Sequence, residues 1–146
     1  MKDIKIALIA LKQEDRDMVP PFGLVYIATY LEEKIGVRNI RIIDGNIENI
    51  EHEVLRYKPD LIGISAMTIY YTDAVSCAQS LKLVTDAPIV IGGVHISTLP
   101  LSLKKAFDIG VIGEGEQTFS ELAEVFRVKN RFEPDDLRGI KGIVFW

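Results

Sequence analysis

Leu61-Ile62-Gly63-Ile64-Ser65, entered through Pro59-Asp60, is followed by Ala74, Cys77, Ala78, Leu81 and Val84 on one helical stripe. The first run is apolar throughout, short and rich in β-branched residues. That pattern suits a strand covered on both faces, the usual state of a parallel sheet. The stripe that follows has the spacing of an amphipathic helix. The same pair recurs in both directions along the chain. Strand-like runs span 4–10, 39–43, 89–91 and 109–112. Between them Leu24, Ile27, Ala28, Leu31 and Ile35 share a helix face, as do Ile47, Ile50 and Val54, and then Phe119, Leu122, Ala123 and Phe126. A further short helix is expected over 99–107. Gly36 stops the first helix, and Pro59 and Pro88 each stand just before a strand. Repeated strand–helix alternation implies right-handed crossovers. The expectation is an α/β, doubly wound domain with a five-stranded, mainly parallel sheet and helices on both faces.

The chain of 146 residues is 48% hydrophobic, enough for one domain with a proper core. Its net charge of −4 disfavours a nucleic-acid backbone as partner. No apolar run is long enough for a membrane span. The chain enters a strand at once after Met1-Lys2-Asp3, without a signal peptide, so a cytoplasmic location is the default expectation. The single cysteine, Cys77, falls on an apolar stripe and excludes a zinc or iron–sulfur cluster built from this chain alone. His52 reads as solvent-facing.

Ligands of open parallel sheets bind beyond the carboxyl ends of the strands. The loop after strand one, 11–23, has neither the Gly-x-Gly-x-x-Gly turn of a dinucleotide site nor a P-loop. The acids and lysine of a phospho-receiver site are missing too, with Ala10, Leu11, Ser65 and Gly113 at those places. Glycine is concentrated instead after strands four and five. Gly92-Gly93 admits a close backbone approach or makes a tight turn. Ser65 offers a hydroxyl to a ligand or caps a helix. Glu114 and Glu116 favour the next helix N-terminus and disfavour a phosphate there. His95 reads as a hydrogen-bonded structural residue ahead of a metal ligand. Tyr70 and Tyr71 either stack on a flat ligand or shield a helix start.

The ordered set Pro20-Pro21-x-Gly23-Leu24-x-Tyr26-Ile27-Ala28-x-x-Leu31, Pro59 to Ser65, Ile91-Gly92-Gly93-Val94-His95 and Val111-Ile112-Gly113-Glu114-Gly115-Glu116 resembles the N-terminal cobalamin-binding domain of cobalamin-dependent radical S-adenosylmethionine enzymes. The resemblance implies a flavodoxin-like, Rossmann-like strand order 2-1-3-4-5, with cobalamin held by its nucleotide tail among the strand-end loops. The implied binding residues are Ser65, Met67 and Thr68, then Gly92, Gly93, Val94 and His95, then Gly113, Glu114, Gly115 and Glu116. Gly93 is expected on the path of the tail, so that its replacement harms binding more than folding. No catalytic residue and no metal ligand is assigned. The Asp-x-His-x-x-Gly motif of the wider cobalamin-binding superfamily is absent from 11–23, so no histidine of that loop meets cobalt.

Residues 1–130 are expected to form the cobalamin-binding-like domain. Residues 131–146 read as a polar linker and an apolar segment leading toward a radical S-adenosylmethionine domain, ahead of a sixth edge strand. That further domain, in the same longer chain or in a partner subunit, would hold the [4Fe-4S] cluster and S-adenosylmethionine. The implied function is a cobalamin-binding module for methyl transfer or carbon-centred radical chemistry, inactive alone. The alternatives are a docking or regulatory domain of the same fold without cobalamin, or a stand-alone small-molecule-binding domain.

Overall fold

The computed structural model describes residues 3–13 and 21–146. Met1, Lys2 and the stretch from Glu14 to Pro20, which includes the first proline of the Pro20-Pro21 pair, lie outside the described residues.

The elements run β1 (Ile6–Ala10), α1 (Phe22–Ile35), β2 (Ile40–Asp44), α2 (Ile50–Tyr57), β3 (Leu61–Ser65), α3 (Tyr71–Lys82), β4 (Ile89–Gly92), α4 (Val94–Thr98), β5 (Ile109–Val111), α5 (Glu116–Lys129), α6 (Pro134–Arg138) and β6 (Ile143–Phe145). Short 3-10 turns at Thr68–Tyr70 and Pro100–Ser102 follow β3 and α4. The sheet order is β2-β1-β3-β4-β5-β6. The first five strands are parallel, in the expected order, and β6 pairs with β5 antiparallel.

Strand alternation divides the core. Ala7, Ile9, Ile62, Ile64, Ile89 and Ile91 pack with Val54, Ala74, Ala78, Leu81 and Ile96 of α2, α3 and α4. Ile6, Leu8, Leu61, Val90, Ile109 and Val111 pack on the other face with Leu24 and Leu31 of α1 and Phe119, Leu122 and Phe126 of α5. Gly36 ends α1 in the left-handed conformation, and the Asn49 side chain caps α2 by accepting the His52 N–H at 2.8 Å.

The structure departs from the sequence expectations at several places. The sheet has six strands, not five, because Ile143–Phe145 closes the β5 edge, with Ile143 and Phe145 against the α5 layer and Val144 on the other face. Within the polar segment expected as a linker, Pro134–Arg138 forms α6, which buries Leu137 on the α5 layer. The stretch 99–107 holds only the turn at Pro100–Ser102, while the helix lies earlier, at Val94–Thr98. Ile47 and Val84 are exposed rather than on helix faces.

Candidate functional site: a glycine-walled slot at the carboxyl end of the sheet

β1, β3 and β4 end together, with Ala10, Ser65 and Gly92 in register. The chain leaves β1 toward one edge and β3 toward the other, so the crevice at a switch of strand direction opens here. A cavity of about 200 Å³ descends from this end between the starts of α1 and α5 onto the sheet. Its inner walls are Leu8, Gly63, Val90 and Val111 from the strands, Leu24 and Ile27 from α1, and Phe119 from α5. Ser65, Gly92, Gly113, Glu114 and Glu116 line its mouth. A second recess of about 200 Å³, sharing Gly23, Leu24 and Ser65, continues over the ends of β1 and β3 beside Met67 and Tyr70. Sites that enclose a whole drug-sized ligand usually have about 300–1,000 Å³. A slot of this size has room for one arm of a large ligand but not for the whole of one. No lysine or arginine lines either recess among the described residues, which suits a ligand bound by shape more than by charge.

The glycines divide into two kinds. At Gly23 and Gly92 an added Cβ would meet nothing within 4 Å, so a side chain there would project into open space. Gly113 is equally open and also has a positive φ of 83°. These three positions keep the slot and its mouth free. Gly93 differs. Its φ is +102°, and a Cβ would lie 2.6 Å from the Ala66 carbonyl oxygen and 2.9 Å from Ser65 Oγ. The expectation that Gly93 matters little for folding is therefore corrected: both glycines border the slot, but Gly93 is also required by the turn, and Gly92 is the one whose Cβ position is open.

The two strand-end loops are tied together by Ser97, which sequence reading passed over. Its hydroxyl donates to the Gly93 carbonyl at 2.8 Å and accepts the Gly113 N–H at 2.9 Å. Leu24, Ile27 and Phe119 were legible only as core-face residues. The signal that they wall an opening was Gly23 beside them, at the first turn of α1.

His95 is buried and lies on the opposite side of the sheet from the slot. Its ring stacks on Tyr71 at 3.8 Å, which assigns Tyr71 to shielding the start of α3. His95 Nε2 is 3.0 Å from Ser102 Oγ, and Nδ1 is 3.3 Å from Thr68 Oγ1. Ser102 donates its hydrogen to the Leu99 carbonyl at 2.6 Å, so it must accept from His95. The tautomer then carries its proton on Nε2, and Thr68 donates to Nδ1. Thr68, expected at the ligand, is engaged by this histidine. Met67 is exposed beside the second recess, and Val94 is exposed and lines neither recess. Glu114 is exposed and Glu116 half-buried at the α5 start, where the helix dipole favours them.

A doubly wound sheet with an apolar, glycine-opened slot at its switch point defines a small-molecule-binding module. The sequence profile described as "B12 binding domain" matches residues 11–123, and the chain belongs to that family. A curated relative, "Uncharacterized methyltransferase PH0819" of Pyrococcus horikoshii, is 32% identical over 160 residues, which is 99% of this chain and 33% of that protein. The chain thus spans about a third of that relative's length. Among solved structures, the radical S-adenosylmethionine methyltransferase TsrM from Kitasatospora setae, with cobalamin and a [4Fe-4S] cluster bound, superposes with a TM-score of 0.76 at 23% identity, covering 97% of this chain and 27% of that one. The cobalamin-dependent S-adenosylmethionine radical enzyme OxsB, with aqua-cobalamin and S-adenosylmethionine bound, gives 0.74 at 18%, covering 97% and 20%. At these identities the structures establish a shared fold. No helix among the described residues is long and apolar enough to cross a membrane.

Proposed function

We propose that this chain is the cobalamin-holding module of a radical S-adenosylmethionine enzyme. The observation that carries the proposal is the slot between α1 and α5, with open Cβ positions at Gly23, Gly92 and Gly113. Such a cradle fits the flat base of a nucleotide tail, and its size fits one arm of a ligand much larger than itself. Leu24, Ile27 and Phe119 would clamp the base faces, and burying them removes apolar surface from water at about 25 cal/mol per Å². Ser65 offers a hydroxyl at the mouth. Gly92 and Gly113 let backbone stand where side chains would obstruct. Bound cobalamin supplies a cobalt centre suited to carrying a methyl group, and the protein's part is to place it and shield it.

Two features bear on the rest of the enzyme. Cys77 is half-buried on α3, and among the described residues no cluster of histidines, cysteines or acids stands ready for a metal. The [4Fe-4S] cluster and S-adenosylmethionine then belong to a further domain, in a longer chain or a partner subunit. The isolated chain is expected to release no 5′-deoxyadenosine from S-adenosylmethionine, and such release would overturn this division of labour.

The direct test is a titration with aquocobalamin, read by visible absorbance and by co-elution on gel filtration. Retention of one equivalent supports the proposal. A folded chain that retains none favours a docking domain of the same fold.

A further inference from the structure

We infer that the slot selects cobamides by their tail base, favouring a methyl-bearing benzimidazole over a purine. The inference rests on the cobalamin reading above and adds to it the chemical class of the tail. The floor of the slot is made by Leu8, Gly63, Val90, Val111 and Phe119, with exposures of 1% for Leu8, 2% for Val90, 3% for Val111 and 4% for Phe119. Leu8, Gly63 and Val90 are in register on three adjacent parallel strands, so the backbone groups at that depth belong to the sheet ladder. The edge of the Phe119 ring fills the space above Gly63, its Cε2 3.2 Å from where a Cβ would stand. The polar side chains of the lining, Ser65, Glu114 and Glu116, all stand at the mouth. Ser65 is two residues beyond Gly63 along β3, about 7 Å at about 3.3 Å per residue. Among the described residues the floor offers no side-chain donor or acceptor.

A tail base is joined to its ribose through its five-membered ring. With the ribose at the mouth, the six-membered ring goes deepest. In dimethylbenzimidazole that ring carries methyl groups, which the floor receives as hydrocarbon on hydrocarbon. In adenine the same edge carries an exocyclic amine and ring nitrogens, which lose water there and find no partner. Leaving one such group unpaired corresponds to about tenfold to a hundredfold in affinity.

The test is equilibrium binding of three probes to the purified chain: dimethylbenzimidazolyl cobamide, its adenine-tailed analogue, and cobinamide, which has no tail base. The expected result is a preference of about tenfold or more for the benzimidazole form over the adenine form, with cobinamide weaker than the benzimidazole form. Val90→Thr, which sets a hydroxyl in the floor, should narrow the preference. The ratio is read within one variant, so any lost stability cancels. Equal affinity for the two tails, or cobinamide as tight as the benzimidazole form, overturns this inference alone. Retention of none of the three, by a chain shown to be folded, overturns the cobalamin reading and this inference with it.

Discussion

The two ends of the sheet are built on opposite plans. At the amino ends of the strands lies the larger hollow, about 700 Å³, bordered by Pro59, Asp60, Asp86, Asp108, Phe132 and Trp146. Acids there serve the chain itself. Asp108 accepts the Ile89 N–H and the Lys82 ammonium, each at 2.7 Å, and Asp60 accepts the Lys5 N–H at 2.9 Å. Trp146 donates to the Phe107 carbonyl at 3.1 Å, with the Lys105 ammonium 3.9 Å from its ring centre. At the carboxyl ends the hollow is smaller, but side chains have been removed from it and its walls are apolar. The difference teaches that volume alone does not mark a site. The amino end is filled with groups that complete the fold, while the carboxyl end is kept empty at the cost of glycine's backbone entropy.

The comparison breaks first at the glycine pair. Gly93→Ala should lower stability by about 2–5 kcal/mol, because it combines a left-handed φ with overpacking on Ala66. In a domain of this size that lowers the melting temperature by roughly 5 °C or more. Gly92→Ala should stay within about 1 kcal/mol of the wild type. Thermal unfolding measured side by side separates them, and equal losses would erase the distinction between a turn glycine and a slot glycine.

The opposite end gives the next contrast. Asp108→Ala removes the acceptor for a backbone N–H and for Lys82. Both side chains are partly exposed, so the expected loss is about 1–2 kcal/mol. Cobalamin affinity should not change. A parallel loss of affinity at this distance from the slot would mean that the two ends are not independent.

The fold was legible in the sequence more fully than the site. Leu61–Ser65 announced itself by a continuous apolar run, and so did β1, β4 and β5, because burial on both faces leaves that mark; β2, at the sheet edge and interrupted by Arg41, is only partly buried. β6 lies in a run that read as apolar and strand-like, with a sixth edge strand only as the second reading, since three residues on an edge carry no period and their pairing with β5 is decided by tertiary contact. The carboxyl-end loops followed from the strand positions. Their internal roles did not, because φ at Gly93 and the direction of the His95 ring are not written in residue types. His95 sits in the right loop, yet its ring is drawn across to Tyr71 and held by Thr68 and Ser102. Gly23, Leu24, Ile27 and Phe119 carried the signal of a core stripe, and only the packing of α1 against α5 shows where that stripe opens.

His95 sharpens the picture of the cobalt environment. Both its ring nitrogens are engaged by hydroxyls on the far side of the sheet. Electron paramagnetic resonance of the cobalt(II) form should therefore show no splitting from a His95 nitrogen, and His95→Ala should leave the cobalt lines unchanged. Splitting from one axial nitrogen that vanishes in His95→Ala would place the ring at the ligand after all.

The smallest effect is expected at Cys77. Burial, with a further push from Glu51, raises its thiol to about 12. Below pH 9 the thiol is neutral in both folded and unfolded chains, and this contribution to stability is fully present. Between pH 9 and 12 the unfolded thiol ionises while the folded one does not, so stability falls as pH rises. Cys77→Ala should remove that part of the alkaline slope, measured as the difference between the two denaturation series. Alkylation of the folded wild type at pH 8 should be slow and should accelerate on unfolding.

The central claim is that the carboxyl-end slot holds the tail of cobalamin. Its most direct test is the cobalamin affinity of Gly92→Leu, measured by absorbance titration beside the wild type, with thermal unfolding of both recorded under the same conditions. A leucine at this position has open space for its side chain, and that space is the slot. The account predicts a variant that folds with nearly the wild-type melting temperature and loses most of its affinity for cobalamin. A folded Gly92→Leu chain that binds cobalamin as tightly as the wild type would contradict it.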